Sequence, residues 1–492
     1  MRIRISLNPR DPARVPGATP AVRVGVVPDP MGASTRLRPS WSVLWQVILC
    51  CAPTSFFIYE AQLFAAVVVF HGLLGMLACY YIVRGQVIHM TALFVGCVPM
   101  LLLLRPVFYH NSISVIFAAT LLMWSILNPA EIRHLLLDRL VFSFCLFAFA
   151  YWWFSFLVTG FYATNLRIFE LVFGAALVFL LSRFRSYLAP ALWGVGASTL
   201  FIVAGISRYG RDRLGMAEFG HQILGHPQQV GMACALILIL CLADRGRWLN
   251  LNRSTLWRYA TAAAATAMLL LTTSRTSWLL TIAALTALVL ARGQRRYLVS
   301  SALLVMLVLT ALLATSRSEA ILKYADKALS PKRSLSQRTS GRYDMYAAFP
   351  GLFWKSPIWG LGPGAADDAY HTREGAAVVM HSIFLHLGLE LGALGLVVLL
   401  VSYTAFVRRA WIHRRLTGEV VPLSFALACC VDALAHNSFN PLTGIFLGLA
   451  LTDLSRLRAY RLAPVAKRRA PREAAATQLV DIRDRSEVSA SQ

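Results

Sequence analysis

Charge is scarce in this chain. Asp, Glu, Lys and Arg make up 14% of 492 residues, where a soluble domain usually stands near a quarter. Acid is scarcer still, with 23 Asp and Glu against 47 Lys and Arg and a formal net charge of +24. In a soluble protein that excess would point to nucleic acid. No nucleic-acid motif accompanies it, and most of the basic residues stand in short loops between apolar runs. Patterned cysteine is missing too. The nine cysteines all lie within apolar runs, so they read as small buried hydrophobes rather than disulfides. There is no C-x-x-C pair or other zinc spacing, and no metal site is expected. H-E-x-x-H, G-x-S-x-G, Walker and Rossmann patterns are absent as well. The glycine-rich run at 360–364 lacks the lysine and the preceding strand of a phosphate loop. The energy of any reaction must therefore come with the substrate and not from ATP.

What the chain does have is apolar length. Hydrophobic residues make up 57%, the mean hydropathy is +0.60, and runs of about 17–25 residues, each long enough to cross a bilayer as a helix, recur from end to end. The expected fold is all-α, a polytopic integral membrane protein with about 12–14 transmembrane helices and one large periplasmic loop. Spans are expected near 43–59, 61–83, 87–105, 111–128, 138–159, 166–183, 188–206, 228–244, 257–273, 276–292, 297–315, 381–406, 421–437 and 441–455. Residues 1–41 read as a disordered cytoplasmic tail without a cleavable signal, 42–315 as a helix bundle and 316–380 as the periplasmic loop. Residues 381–456 read as C-terminal transmembrane helices, and 457–492 as a second disordered tail. Short helices are expected within the loop at 319–329 and 340–349, with a turn at 360–364.

Arginine sets the sidedness. Arg84, Arg133, Arg183, Arg245, Arg292 and Arg408 fall in alternate loops, whereas the loops near Glu60, Gly160 and Asn437 are nearly free of Lys and Arg. Both termini are therefore expected in the cytoplasm. Two outer segments break the pattern. One carries Arg208, Arg211 and Arg213; the other is the tight hairpin Thr273-Ser274-Arg275-Thr276. An anionic ligand at the outer leaflet would offset these placements. Guanidinium suits a diphosphate, because its paired donors stay charged in a low dielectric. Arg211, Arg213 and Arg275 are the candidate diphosphate clamp. The alternative use of such arginines is to snorkel to phospholipid phosphates or to cap helices. His381 stands at the outer end of the twelfth expected span, where imidazole can take a proton from a sugar hydroxyl. Its alternative use is a hydrogen bond to a carbonyl. Arg208, Arg342 and His226 are further candidates for substrate binding. Among the intramembrane acids, Glu170 has Arg167 three residues away on the same helix face, and Glu390 and Asp432 have no evident partner in the sequence.

The order of these motifs resembles the bacterial O-antigen ligases and the related O-antigen and exopolysaccharide polymerases. The resemblance covers roughly residues 200–400: Arg213, then His226-Pro227-Gln228, the Arg275 hairpin, Arg342 to Tyr346, Ser356-Pro357-Ile358-Trp359-Gly360-Leu361-Gly362, and His381-Ser382 leading to Leu391-Gly392 and Gly395. Two departures stand out: Ser382 and Gln228 replace the Asn frequent at each place. The resemblance implies an inner-membrane glycosyltransferase that uses an undecaprenyl-diphosphate-linked oligosaccharide and needs no metal or nucleotide cofactor. Arg211 or Arg213 with Arg275 would hold the diphosphate, and His381 would activate or position the acceptor hydroxyl, with inversion at the anomeric carbon. The acceptor would be a lipid-linked repeat unit, for a polymerase, or lipid A-core, for a ligase. A chain-length regulator is a candidate partner. A lipid-linked sugar transporter is the alternative from another class, and it would call for charge near the bilayer midplane.

Overall fold

In a bilayer the backbone has no water to bond, so a chain this apolar must satisfy its N–H and C=O groups within helices. The structure, a computed structural model, describes residues 40–105, 112–159, 163–209, 217–219, 222–224, 226–243, 255–292, 342–363, 382–435 and 440–451, with 306, 322, 326, 330, 334 and 365. The described residues belong to one compact unit. The first eight helices are α1 (Ser42–Tyr59), α2 (Leu63–Val83), α3 (Val87–Leu104), α4 (Ser112–Leu127), α5 (Pro129–Leu137), α6 (Arg139–Thr159), α7 (Ala163–Leu181) and α8 (Arg185–Ile206). A small antiparallel ribbon, β1 (Ala217–Phe219) and β2 (Gln222–Leu224), pairs Glu218 with Ile223. There follow α9 (Pro227–Ala243), α10 (Thr255–Leu271), α11 (Arg275–Arg292), α12 (Arg342–Phe353), α13 (Ile383–Thr417), α14 (Val421–Ala435) and α15 (Pro441–Ala450).

The protein is thus a polytopic, helical membrane protein. Among the described residues six helices are long and apolar enough to cross a bilayer, or seven if α4 and α5, bent by 112°, count as one. Six shorter apolar helices of 10–17 residues accompany them. The expected spans each coincide with a helix, except 297–315, which lies outside the described residues apart from Met306. Nearly all of 1–41, all of 457–492 and much of 316–380 also lie outside them. Helix α5 was not foreseen. Pro129 opens it at a position where the missing N–H costs nothing, and its Leu136 and Leu137 are exposed.

Packing follows polarity around each helix. In α3, 89% of the apolar window is buried, against 22% in α2; a helix apolar all round belongs in the interior or against lipid. Helix α3 packs on α8, and α8 on α1. The approach is close because Gly96 meets Gly194: a Cβ on Gly194 would lie 3.0 Å from the Gly96 Cα. Helices α15 and α7 meet in the same way, since a Cβ on Gly444 would lie 2.7 Å from the Leu171 carbonyl oxygen. Small residues let backbones approach where lipid leaves no hydrophobic force between helices.

Helices α1 and α8 run parallel. The Ser40 amide donates to the Ser186 carbonyl at one end (2.9 Å), and the Ser55 hydroxyl to the Phe201 carbonyl near the other (2.8 Å). That agrees with the alternation read from arginine. Two buried acids find partners on distant helices. Glu170, fully buried on α7, pairs with Arg105 at the end of α3 (3.0 Å) and accepts from Ser114 (3.3 Å). The sequence suggested Arg167 from spacing alone; the side chain of Arg167 lies outside the described residues. Asp432 on α14 accepts from Thr443 on α15 (2.5 Å).

Candidate functional site

The polar groups worth reading gather where α9, α11 and α13 begin and α14 ends. Helix α9 opens on Pro227, and the His226 ring caps it: Nδ1 accepts from the Gln228 amide (3.2 Å). His226 therefore has a structural use beside any contact to substrate. Gln228 is buried, and its Nε2 donor has no hydrogen-bond partner among the described residues. A buried donor left unmade is uncommon enough to need a reason.

The α10–α11 connection is three residues long. Thr273 sits at φ 50°, in a left-handed region that a β-branched residue rarely enters. The turn is held by side chains. The Thr272 hydroxyl donates to the Leu269 carbonyl (2.7 Å), Ser274 and Ser277 join through their hydroxyls (2.9 Å), and Ser277 also reaches the Gln228 carbonyl (3.3 Å). Gly231 makes room for the contact: a Cβ there would lie 2.6 Å from the Ser277 oxygen. The tight hairpin and the His-Pro-Gln segment, far apart in sequence, are therefore packed together. Arg275 is half-buried and is the first residue of α11. A cation in a first helical turn opposes the helix dipole. Together with the strained turn, that makes Arg275 an unusual choice for a purely structural residue.

Helix α13 begins at Ser382. Its hydroxyl accepts from the Leu385 amide (3.4 Å) and donates to the Ala433 carbonyl at the end of α14 (3.2 Å). On α12, the Tyr346 hydroxyl donates to the next carbonyl, that of Leu434 (2.6 Å). The last turn of α14 thus holds the start of α13 and the first turns of α12, the helix that begins at Arg342. Helix α14 also packs along α11, so it sets the spacing between the Arg275 end of α11 and the Ser382 end of α13.

Helix α13 is broken at Gly392 (φ 61°, ψ −149°), and the 356–362 segment fills the break. The Leu361 amide donates to the Leu389 carbonyl (2.7 Å), the Gly362 amide to the Glu390 carbonyl (3.2 Å), and the Ala393 amide to the Pro357 carbonyl (2.7 Å). A break frees carbonyls that must find donors in an apolar setting, and the loop supplies them. Gly360 is required because a Cβ there would lie 2.3 Å from the Glu390 carbonyl carbon. The Ser-Pro-Ile-Trp-Gly-Leu-Gly and Leu-Gly-x-x-Gly motifs are therefore two halves of one joint. Beneath it, Met345 of α12 is buried with Leu385 and Leu389 of α13. Beside it, the fully buried Glu390 accepts from the Tyr151 hydroxyl of α6 and pairs with His386 one turn earlier (3.2 Å). Sequence alone left Glu390 without a partner, because Tyr151 is 239 residues away.

The remaining candidates fall differently. Arg208 is exposed, 4.0 Å from Glu60 and over the rings of Tyr59 and Tyr209; the α1–α2 turn already occupies it. Arg342 is the first residue of α12, and its side chain lies outside the described residues. Arg211, Arg213 and His381 lie outside them as well.

Fold and site together define a multi-span membrane protein with a polar cluster at one end of its helices. Residues 260–400 match the family model Wzy_C, O-Antigen ligase. This supports the O-antigen ligase and polymerase family that the motifs resemble, and with it a membrane enzyme of polysaccharide assembly. The match takes in most of α10, all of α11 and α12, and α13 past its break at Gly392. No curated protein matches the chain in sequence. One solved structure, described as "Structural coordination of polymerization and crosslinking by a peptidoglycan synthase complex", is similar at 19% identity and a TM-score of 0.36, over 63% of this chain and 95% of that one. A likeness that low carries no argument.

Proposed function

We propose that the protein transfers a glycan from undecaprenyl diphosphate to a sugar hydroxyl at the periplasmic face of the inner membrane, lengthening exopolysaccharide or O-antigen repeat units. The observation that carries this reading is the 272–275 turn. It is strained at Thr273, pinned to α9 through Ser277, and opens α11 with the half-buried Arg275, a cation where the helix dipole disfavours one. The acceptor oxygen attacks the anomeric carbon as the bond to the diphosphate breaks, with inversion. Negative charge grows on the departing diphosphate. Arg275, joined by Arg211 and Arg213, stabilises that charge most at the transition state. His381 takes the hydroxyl proton or orients the hydroxyl. In this reading Arg342 and the Gln228 amide bind sugar hydroxyls, and Arg208 has a lesser claim because Glu60 and Tyr59 already engage it.

The family model's name favours a second reading, in which the acceptor is lipid A-core. One assay separates the readings. Purified protein is given lipid-linked repeat units with and without lipid A-core, and the glycan products are sized. Longer glycans on the same lipid support polymerisation, and transfer only to lipid A-core supports ligation. Movement across the bilayer without a new linkage would leave transport as the function. Within the enzyme, Arg275→Ala should lower turnover about 10²–10³-fold while the protein stays in the membrane; full activity in that variant removes Arg275 from the mechanism.

A further inference from the structure

Beyond the Gly392 break of α13, a cavity of about 750 Å³ opens between the α5–α6 junction and the second half of that helix. That volume lies within the roughly 300–1,000 Å³ of small-molecule sites. Its walls include Leu137 and Leu140 on one side and Leu400, Val401 and Thr404 on the other. Leu137, Leu400 and Val401 are 66%, 56% and 63% exposed, so the apolar side of the cavity continues onto the lipid-facing surface. Arg139 and Arg408, both exposed, line the same cavity. Among the described residues neither makes an ion pair. Arg409 lies behind them and is locked to Asp138 by two hydrogen bonds of 2.6 and 2.5 Å.

This arrangement has a definite sign and level. Three arginines against one aspartate leave a local charge of +2. Both Asp138 oxygens are taken by Arg409, so the site presents no free carboxylate to an ammonium group. Arg139 is the first residue of α6 and stands at the end of a 19-residue apolar stretch, Arg139–Leu157, long enough to cross a bilayer, so it lies where that span meets the head groups. The cavity therefore sits at head-group height in the arginine-rich leaflet, where basic pockets between helices select anionic lipid.

We propose that this cavity binds one anionic phospholipid of that leaflet, with its phosphate between Arg139 and Arg408 and its acyl chains along Leu400 and Val401. The cavity shares no lining residue with the proposed transfer site, and its test does not use glycan. Full-length protein stripped of lipid in detergent is titrated with phosphatidylglycerol, phosphatidylcholine or inorganic phosphate and read by native mass spectrometry. Wild type should retain one tightly bound phosphatidylglycerol in preference to phosphatidylcholine. The double variant Arg139→Gln/Arg408→Gln should bind it about thirtyfold more weakly, at the contribution expected of two arginines near a membrane surface. Thr404→Trp, which fills the cavity and keeps both charges, should lose it too. Equal binding of phosphatidylglycerol by wild type and either variant overturns the proposal, as does phosphatidylcholine bound equally well. Displacement by inorganic phosphate at equal concentration overturns the assignment to a lipid.

Discussion

Substituting Gly360 tests whether the 356–362 segment is the plug of the α13 break. Alanine at 360 would bring its Cβ to 2.3 Å from the Glu390 carbonyl carbon and oxygen and 2.5 Å from the Leu391 nitrogen. All three are backbone atoms, so none can swing aside. The docked loop cannot absorb the overlap and must leave its seat. Leaving costs the three cross bonds made by Leu361, Gly362 and Ala393, at about 0.5–1.5 kcal/mol each, or about 1.5–4.5 kcal/mol together. The amides of Leu361, Gly362 and Ala393 should then exchange with deuterium roughly ten- to a thousandfold faster. Two neighbours serve as controls. Gly362 also has positive φ (+96°) but nothing within 4 Å of a Cβ, so Gly362→Ala should bear only a left-handed strain of about 1–2 kcal/mol. Gly351, inside α12, has open space and no positive φ; Gly351→Ala should leave exchange in the joint unchanged. Hydrogen exchange by mass spectrometry on full-length protein in detergent gives the ranking. If Gly360→Ala exchanges no faster than Gly362→Ala, the loop does not occupy the break and the joint is misread.

The buried Arg105–Glu170 pair yields a second expectation. Arg105→Met alone should destabilise by about 3–5 kcal/mol, because it strands a buried carboxylate, and adding Glu170→Met should restore most of the loss; thermal unfolding in detergent reports both. The Glu390 cluster yields a third. Tyr151→Phe and Glu390→Gln should each lower thermal stability, and their double-mutant cycle should show coupling of about 0.5–3 kcal/mol. Additive losses would mean that the Tyr151 contact contributes nothing.

Much of the helical layout was legible because bilayer thickness and backbone hydrogen bonding admit few alternatives. The spans needed only hydropathy. Helix α5 escaped because nine residues with Glu131, Arg133 and His134 read as a connecting loop; only Pro129 after Asn128 marked its start. The motif segments were visible as segments, but not as partners. Nothing local says that the 356–362 turn feeds donors to carbonyls of α13, or that Ser277 rests on Gln228. The clue was there in the glycines at 231, 360 and 392, each a place where another backbone or side chain comes too close for a Cβ.

By itself the sequence determined that this chain is a bundle of membrane helices, and it supplied the expectation of which loops share a side and of an anion beside the arginines that break the pattern. Those are properties of short stretches, set by the exclusion of water and the cost of charge in lipid. Only the tertiary structure decided who meets whom: Arg105 with Glu170, Tyr151 with Glu390, Ser382 and Tyr346 with the last turn of α14, and Arg139 with Arg408 around one cavity. Buried polar groups in a bilayer must find partners, but the partner is chosen by the packing of whole helices, over separations such as 65 and 239 residues that no local pattern encodes.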